Sequence, residues 1–377
     1  ATHATPHLSV IIPVFNQWSY TAPCLRTLRE RMPSHVPYEV IVVDNASSDE
    51  TPRGLATLQR EWPELRVERL SINTGFSPAC NRGAEVARGK LLVFLNNDTE
   101  VQPGWLPPLL AELEKPGVGI VGPKLLYPCG TRINHGGYVF GNGIFYGIYQ
   151  ERAADLPAAN KPRGYQALLG ACVVLSKELF ESVGGFSLDG LEDIDLCLKI
   201  KERGLEVRYV PSSVVYHHGS VTLRLSPPGS FPITSNRGFA SRWGAHKLVW
   251  DDHVWHLTDG EWTAPPGAVS FEESLRLATE SMALAIKADQ AREGGDSLHA
   301  EAYLLRALEL WPCNPWAFIR LAHHLFESGR TVEVLFLLAR LGEFRSVPNF
   351  VKDLEPVIRG ILPPESCAAI FSDKPGE

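Results

Sequence analysis

The chain has 377 residues, 44% of them hydrophobic, and a formal net charge of −7. That length allows one large or two ordinary domains around a well-formed core, and the acidic balance argues against a general nucleic-acid binder, which needs a basic surface to neutralise phosphates. Seven cysteines (Cys24, Cys80, Cys129, Cys172, Cys197, Cys313, Cys367) are scattered without a C-x-x-C pair, which disfavours a disulfide framework or structural zinc and fits a reducing, cytoplasmic setting.

No run approaches the ~18 apolar residues of a membrane span, so no transmembrane segment is expected. The opening Ala-Thr-His-Ala-Thr-Pro-His has no signal-peptide core, and the missing initiator Met reads as a trimmed or processed start. Peripheral contact with the inner face of a membrane stays open, although no basic amphipathic stretch proposes it.

From residue 8 to about 125, short Val/Ile/Leu runs at 8–12, 39–43, 65–69, 91–95 and 118–121 alternate with longer amphipathic segments. That rhythm predicts β-α-β units and a largely parallel sheet. Residues 127–149, rich in Gly and aromatics without a helical period, read as a hairpin or loop over a site. Residues 151–163 have the composition of a mobile loop. Further helix and strand segments follow at 166–174, 177–183, 193–203 and 206–210. Pro227, Pro228 and Pro232 then break the chain before a helix at about 236–243.

The Gly- and Pro-bearing stretch 258–266 reads as a linker, which divides the chain into domains 1–260 and 261–377. Beyond it, residues 271 to about 345 carry two copies of a pattern roughly 34 residues long. Gly295, Ala300, Leu304, Ala307 and Pro312 mark the first copy, and Leu321, Gly329 and Leu338 the second. This looks like a short tetratricopeptide unit, against which stands an ordinary stack of helical hairpins, since Val334 and Leu341 occupy positions where Ala is usual. Two repeats rarely stand alone, so flanking helices, the first domain or a second subunit should cap them, and a homodimer through the helical domain is one expectation.

The most informative stretch is 90–100, where an apolar strand ends in Asn96-Asn97-Asp98. Open α/β sheets bind ligands at the carboxyl ends of their strands, and an amide oxygen with a carboxylate there suits Mg2+ or Mn2+ holding a diphosphate. The same residues also simply start loops. Other segments end strands in the same manner: Pro13-Val14-Phe15-Asn16, then Asp44-Asn45-Ala46-Ser47-Ser48-Asp49, followed by Asn73-Thr74-Gly75-Phe76 and Asn81-Arg82-Gly83-Ala84. Leu191-Glu192-Asp193-Ile194-Asp195-Leu196 opens an amphipathic helix, where first-turn acids also complement the macrodipole.

Over roughly residues 7–250 this ordered set resembles glycosyltransferase family 2, nucleotide-sugar transferases of the GT-A fold, and particularly its rhamnosyltransferase-like branch. The resemblance implies an α/β, Rossmann-like, mostly parallel catalytic domain, here followed by an α-helical repeat domain. It implies an inverting, metal-dependent transferase using a nucleotide-sugar donor, UDP-sugar by default and dTDP-rhamnose next, since no residue separates uracil from thymine. The acceptor would be a saccharide, lipid-linked or peptide group. Bacteriocin S-glycosyltransferases append similar repeats to this fold, which keeps peptide or cysteine glycosylation as an alternative, beside a catalytically silent scaffold.

Residue by residue, the resemblance makes Asp193 the general base with Glu192 beside it, and Asp98 a metal ligand. Asn96 stands where the family commonly has Asp, which leaves open whether it ligates directly; Asn97 completes the donor contact. Pro13 and Phe15 would shape the base pocket, and Asp44 would accept from uracil or ribose, although an Asp there also caps a helix. Asn73 and Gly75 form a turn, and Asn81 and Arg82 at the next helix suit phosphate or base contact. A third ligand follows a later strand in this branch, with Ser or Thr five residues on, so His217 with Thr222 fits better than His218. Gly170-Ala171-Cys172 and Gly184-Gly185-Phe186 would wall the sugar and acceptor site. Trp105 reads as packing, and His135 as a His-x-Gly element of open role.

Overall fold

A computed structural model describes residues 6–141, 144–219, 238–239, 241–243, 248–260, 264–330, 332–334 and 337. Of the expected helix at 236–243, residues 238–239 and 241–243 are described and are helical, whereas Thr222, the three prolines, Leu338, Leu341 and the C-terminal stretch lie outside the described residues. The chain divides into two units, residues 1–249 and 250–377. The division precedes the Gly260–Pro266 region, because the helix Asp252–Thr258 goes with the second unit.

In the first unit, strands β1 (Leu8–Val14), β2 (Tyr38–Asp44), β3 (Leu65–Arg69) and β4 (Leu91–Leu95) lie parallel in the order β4-β1-β2-β3. Val10, Ile11, Val40, Ile41, Val93 and Phe94 are fully buried, as expected of strands covered on both faces. Helices α1 (Trp18–Arg31), α2 (Thr51–Glu61) and α3 (Phe76–Val86) supply the crossovers. Short β5 (Thr99–Val101) and helix α4 (Leu106–Leu113) follow β4, then β6 (Val118–Leu126) and β7 (Ile133–His135). Trp105 is 1% exposed and its carbonyl accepts from the Ser213 hydroxyl at 2.6 Å, a packing role as expected.

The aromatic stretch forms a hairpin of β8 (Tyr138–Gly141) and β9 (Ile144–Gly147). The stretch expected to be a mobile loop is instead built. It holds the 3-10 turn Pro157–Asn160 and β10 (Arg163–Gly164). The buried Lys124 ammonium donates to Ala154 O at 3.1 Å and Asn160 Oδ1 at 2.6 Å, and the Tyr209 hydroxyl donates to Ala159 O at 2.8 Å. Composition alone missed this because the anchors sit on other elements.

Strand β11 (Cys172–Ser176) runs antiparallel between β4 and β6, and helices α5 (Lys177–Ser182) and α6 (Glu192–Glu202) lead to β12 (Glu206–His217). The sheet thus reads β10-β12-β6-β11-β4-β1-β2-β3, with β5 and β7 added at β12 and β6. This is the expected GT-A-like α/β sheet, mixed at one side and parallel at the other.

Among its described residues the second unit is helical: α7 (Asp252–Thr258), α8 (Phe271–Glu293), α9 (Ser297–Leu310) and α10 (Pro315–Glu327). Ser270, Asp296 and Asn314 cap α8, α9 and α10 by accepting backbone amides. Ala285, Ala288, Leu304, Ala307 and Leu321 form its core. Gly295 stops a helix with φ +79° and Gly329 does so with φ +73°, a conformation that favours glycine. The buried Trp316 Nε1 donates to Asp252 Oδ2 at 2.7 Å, which explains why α7 packs with these helices.

Candidate active site

Non-local strand pairing assembles the site. After β4, Asn96 donates its amide to Ala171 O at 2.9 Å and the chain turns into β5. That strand pairs with the end of β12 in the register Thr99↔His217 and Tyr216↔Glu100. The pairing sets Asp98 Oδ1 3.5 Å from His217 Nε2, with both residues more than nine-tenths buried. His218 turns elsewhere, its Nε2 3.3 Å from Glu100 Oε1 and its ring edge-on to Tyr20. Of the two histidines, His217 is therefore the one whose ring faces the Asp98 carboxylate, while the His218 amide donates to Asp98 O at 3.0 Å.

One observation bears on whether this pair could accommodate a cation. His217 Nε2 is buried and has no hydrogen-bond partner among the described residues, while 3.5 Å is too long for a hydrogen bond to Asp98. Two ligands each about 2.1 Å from one octahedral ion at right angles would stand about 3 Å apart, so small adjustments fit Mg2+ or Mn2+. A hard carboxylate with an imidazole suits Mn2+. No cluster of three or more such side chains occurs among the described residues, so the remaining positions would fall to donor oxygens and water. Asn96, half-exposed, has no side-chain hydrogen bond among the described residues, whereas Asn97 Nδ2 donates to Thr21 Oγ1 at 2.9 Å and braces α1.

The second half of the site is the start of α6. Asp193 Oδ2 accepts from the Gly170 amide at 3.0 Å, and Oδ1 from the Ile194 amide at 2.8 Å. Glycine at 170 eases this approach, since a Cβ there would lie 3.1 Å from Asp193 Cβ, a tight contact. Burial raises the Asp193 carboxyl above the usual range, opposed by the Gly170 and Ile194 amides. Glu192, which accepts from the Gly190 amide, is pushed up to about 8 by burial and by the neighbouring Asp193 charge. The pair thus retains a proton near neutral pH. Asp195 differs: it is fully buried under Ser187, Lys199, Arg242 and Trp243.

Three consecutive residues tie the halves together. The Leu169 amide donates to His135 Nε2 at 3.1 Å, the Gly170 amide donates to Asp193, and Ala171 O accepts from Asn96. His135 is held neutral, its pKa lowered to about 3 by burial and by His217. Accepting from Leu169 requires an unprotonated Nε2, which agrees.

The expected nucleoside side is a dense network. Pro13 is buried and Phe15 half-buried at the end of β1, whose register sets Val14 opposite Asp44. Asp44, 1% exposed, accepts from the Ser47 amide at 2.8 Å and pairs with Arg69. Its carboxylate thus closes the turn after β2 and does not cap α2, which begins at Thr51. Asn45 links this end to the next turn, donating to Asn73 Oδ1 at 2.8 Å and Gly75 O at 2.9 Å. Gly75 has φ +94°, and its helix accepts a cap from Asp189, whose Oδ1 takes the Ser77 amide at 2.9 Å.

Asn81 clasps Phe186 through both amide atoms at 2.9 Å, and Arg82 is engaged by Glu85 at 2.8 Å and Glu68 at 3.3 Å. Both side chains therefore brace α3 in this structure. Asn45, Asn134, Gly170 as an amide donor, and Asp189 escaped sequence reasoning, since only tertiary pairing gives them partners.

Residues 9–184 match the family described as glycosyl transferase family 2. The chain is 35% identical over 236 residues to the O-antigen biosynthesis protein RfbC of Myxococcus xanthus, covering 58% of this chain and 18% of that protein. It is 28% identical over 240 residues to polypeptide N-acetylgalactosaminyltransferase 5 of Caenorhabditis elegans, covering 59% and 38% respectively. The crystal structure of GalNAc-T7 with UDP, GalNAc and Mn2+ is similar at 21% identity and a TM-score of 0.49, over 56% of this chain and 44% of that one. The chain thus spans less than half the length of each. No helix among the described residues is long and apolar enough to cross a membrane.

Proposed function

We propose that this chain is an inverting glycosyltransferase that moves a sugar from a nucleotide-sugar donor, by default a UDP-sugar, to a saccharide hydroxyl. The carrying observation is the tie through Leu169-Gly170-Ala171 between the Asp98–His217 pair and Asp193. It joins a cation-competent pair to a carboxylate of raised proton affinity, the two components a one-step transfer needs. The family 2 match supports the reaction class, and the likeness to an O-antigen biosynthesis protein favours a saccharide acceptor. A polypeptide acceptor is the second reading, favoured by the likeness to a polypeptide transferase.

Asp98 and His217 would hold Mn2+ or Mg2+, which when bound supplies charge neutralisation for the departing nucleoside diphosphate. Asp193 takes the acceptor proton as the acceptor oxygen attacks the anomeric carbon, and a single displacement inverts that centre. Its two amide donors fix the carboxylate's direction without neutralising it. Protonated Glu192 donates a hydrogen bond to the acceptor. Pro13, Phe15, Asp44 and the Asn73–Gly75 turn line the nucleoside end, where Asn45 keeps the turn in register. The helical unit, with its Gly295- and Gly329-terminated helices, is read as a short tetratricopeptide-like platform for the acceptor or a second subunit.

The test is a sugar-nucleotide panel with calorimetry of UDP and Mn2+. Asp98→Ala should abolish metal-dependent UDP affinity. Asp193→Asn should keep that affinity and lose about 10²-fold or more in transfer. Undiminished metal-dependent binding in the first variant, or near-normal transfer in the second, overturns the assignment.

A further inference from the structure

His217 is a useful ligand only in one tautomer, and the structure contains a side chain that selects it. Its Nδ1 lies 2.8 Å from Asn134 Oδ1, an ordinary N–H···O distance. Its Nε2 stands 3.5 Å from Asp98 Oδ1 with no hydrogen-bond partner among the described residues. The other tautomer would leave Nδ1 facing a carbonyl oxygen, lone pair against lone pair, and would spend the Nε2 proton on a contact too long to be a hydrogen bond. Of the two neutral tautomers only Nδ1–H satisfies the short contact, and it leaves the Nε2 lone pair directed toward Asp98.

Asn134 is well placed to hold this orientation. It is 8% exposed and lies in the middle of β7, which pairs with β6 through Leu125↔His135 and Leu126↔Ile133. β12 flanks the same strand β6, with Tyr216 opposite Leu126. The two residues therefore meet through a shared strand, so their contact does not depend on a loop. We propose that Asn134 is a positioning residue that fixes His217 as the Nδ1–H tautomer, presenting Nε2 with Asp98 to a divalent cation. This rests on the metal reading given above. A neutral amide suits the task, because it accepts one hydrogen bond without adding a second anion beside Asp98. Outer partners of this kind commonly change metal affinity by about 10–100-fold when removed.

The test uses the full chain labelled with 15N-histidine. Two-bond proton–nitrogen spectra, with His217 assigned by its loss in His217→Ala, should show a protonated Nδ1 and a bare Nε2 in the wild-type protein. Electron paramagnetic resonance of free Mn2+, titrated with protein alone and with UDP, reads the affinity. Asn134→Leu should weaken Mn2+ binding by about tenfold or more, and Asn134→Asp, which keeps an acceptor, should stay within about threefold of wild type. An Nε2–H tautomer in the wild-type protein overturns the proposal and needs no variant to fold. So does an Asn134→Leu protein that binds Mn2+ like wild type while His217→Ala is weakened. If Asp98→Ala and His217→Ala both bind Mn2+ unchanged, the metal reading itself fails and removes the inference with it, an outcome distinct from the previous one.

Discussion

Replacing Asp195 should damage the fold far more than the chemistry. Its carboxylate is fully buried and accepts from Ser187 Oγ at 2.7 Å, Lys199 Nζ at 3.0 Å, Arg242 Nη1 at 2.7 Å and Trp243 Nε1 at 2.9 Å. Asp195→Ala leaves two neutral donors short of a partner, at about 1 kcal/mol each. It also leaves the Lys199 ammonium, 14% exposed, without its counter-charge, although Gly185 O still accepts from it at 2.8 Å. Arg242 is 42% exposed and adds little, because water replaces its partner. The sum is about 3–5 kcal/mol at neutral pH, in line with breaking a buried ion pair. For a unit of this size that lowers the unfolding midpoint by roughly 10 °C.

Burial works to raise this carboxyl, and the four donors overcome it, so its pKa lies below the usual range. Its stabilisation is complete above the unfolded value near 3.9 and is lost as pH falls through the folded one. The gap between wild type and variant should therefore be flat from about pH 7 to 5 and close only in stronger acid. Thermal unfolding of the full chain across that range measures it. A midpoint within about 2 °C of wild type at pH 7, or a gap that closes toward neutral pH, refutes the reasoning.

Glu192→Gln should show the opposite pH behaviour. The folded carboxyl is raised to about 8, so the wild-type protein loses stability as pH climbs from the unfolded value toward 8. The variant should gain on wild type between pH 5 and 8, and thermal midpoints that keep a constant difference refute the raised proton affinity. A chain ending at Val249 should unfold cooperatively with the Asp195 network intact, because the first unit closes there. One ending at Asp259 should carry α7 without its Trp316 contact and bind more of a hydrophobic dye. Equal dye binding by the two truncations counts against the assignment of α7.

The central strands were legible because burial on both faces leaves continuous apolar runs, and β1, β2, β3 and β4 appear close to where those runs lie. Strand β12 was only half legible. Sequence reading stopped it at Val210 and treated Val214-Val215 separately, whereas one strand runs from Glu206 to His217. Pro211 and the two serines broke the apolar pattern, and the structure absorbs them as an irregularity between Val210 and Val214 in the pairing with β6. That continuation carries His217 to Asp98. Residues announced by a strand end, such as Asp98, could be read locally. Asn134 and Gly170 could not, since each acquires its role through a partner on a separate strand or helix.

The acids that open α6 make the limit of local reasoning explicit. Glu192, Asp193 and Asp195 all lie in the first turn, so the helix macrodipole favours the charge of each. If that field governed them, all three would be easier to ionise than usual. Only Asp195 is, and its donors come from the loop at Ser187, from Lys199 one turn along, and from Arg242 and Trp243. Asp193 receives two amides, and Glu192 receives one together with the charge of its neighbour, so burial prevails at both. Partners drawn from other elements thus separate a structural anchor from a proton-holding pair within four residues of helix. A proton acceptor of raised affinity arises where no cation pairs with the carboxylate, and among the described residues none forms an ion pair with Glu192 or Asp193.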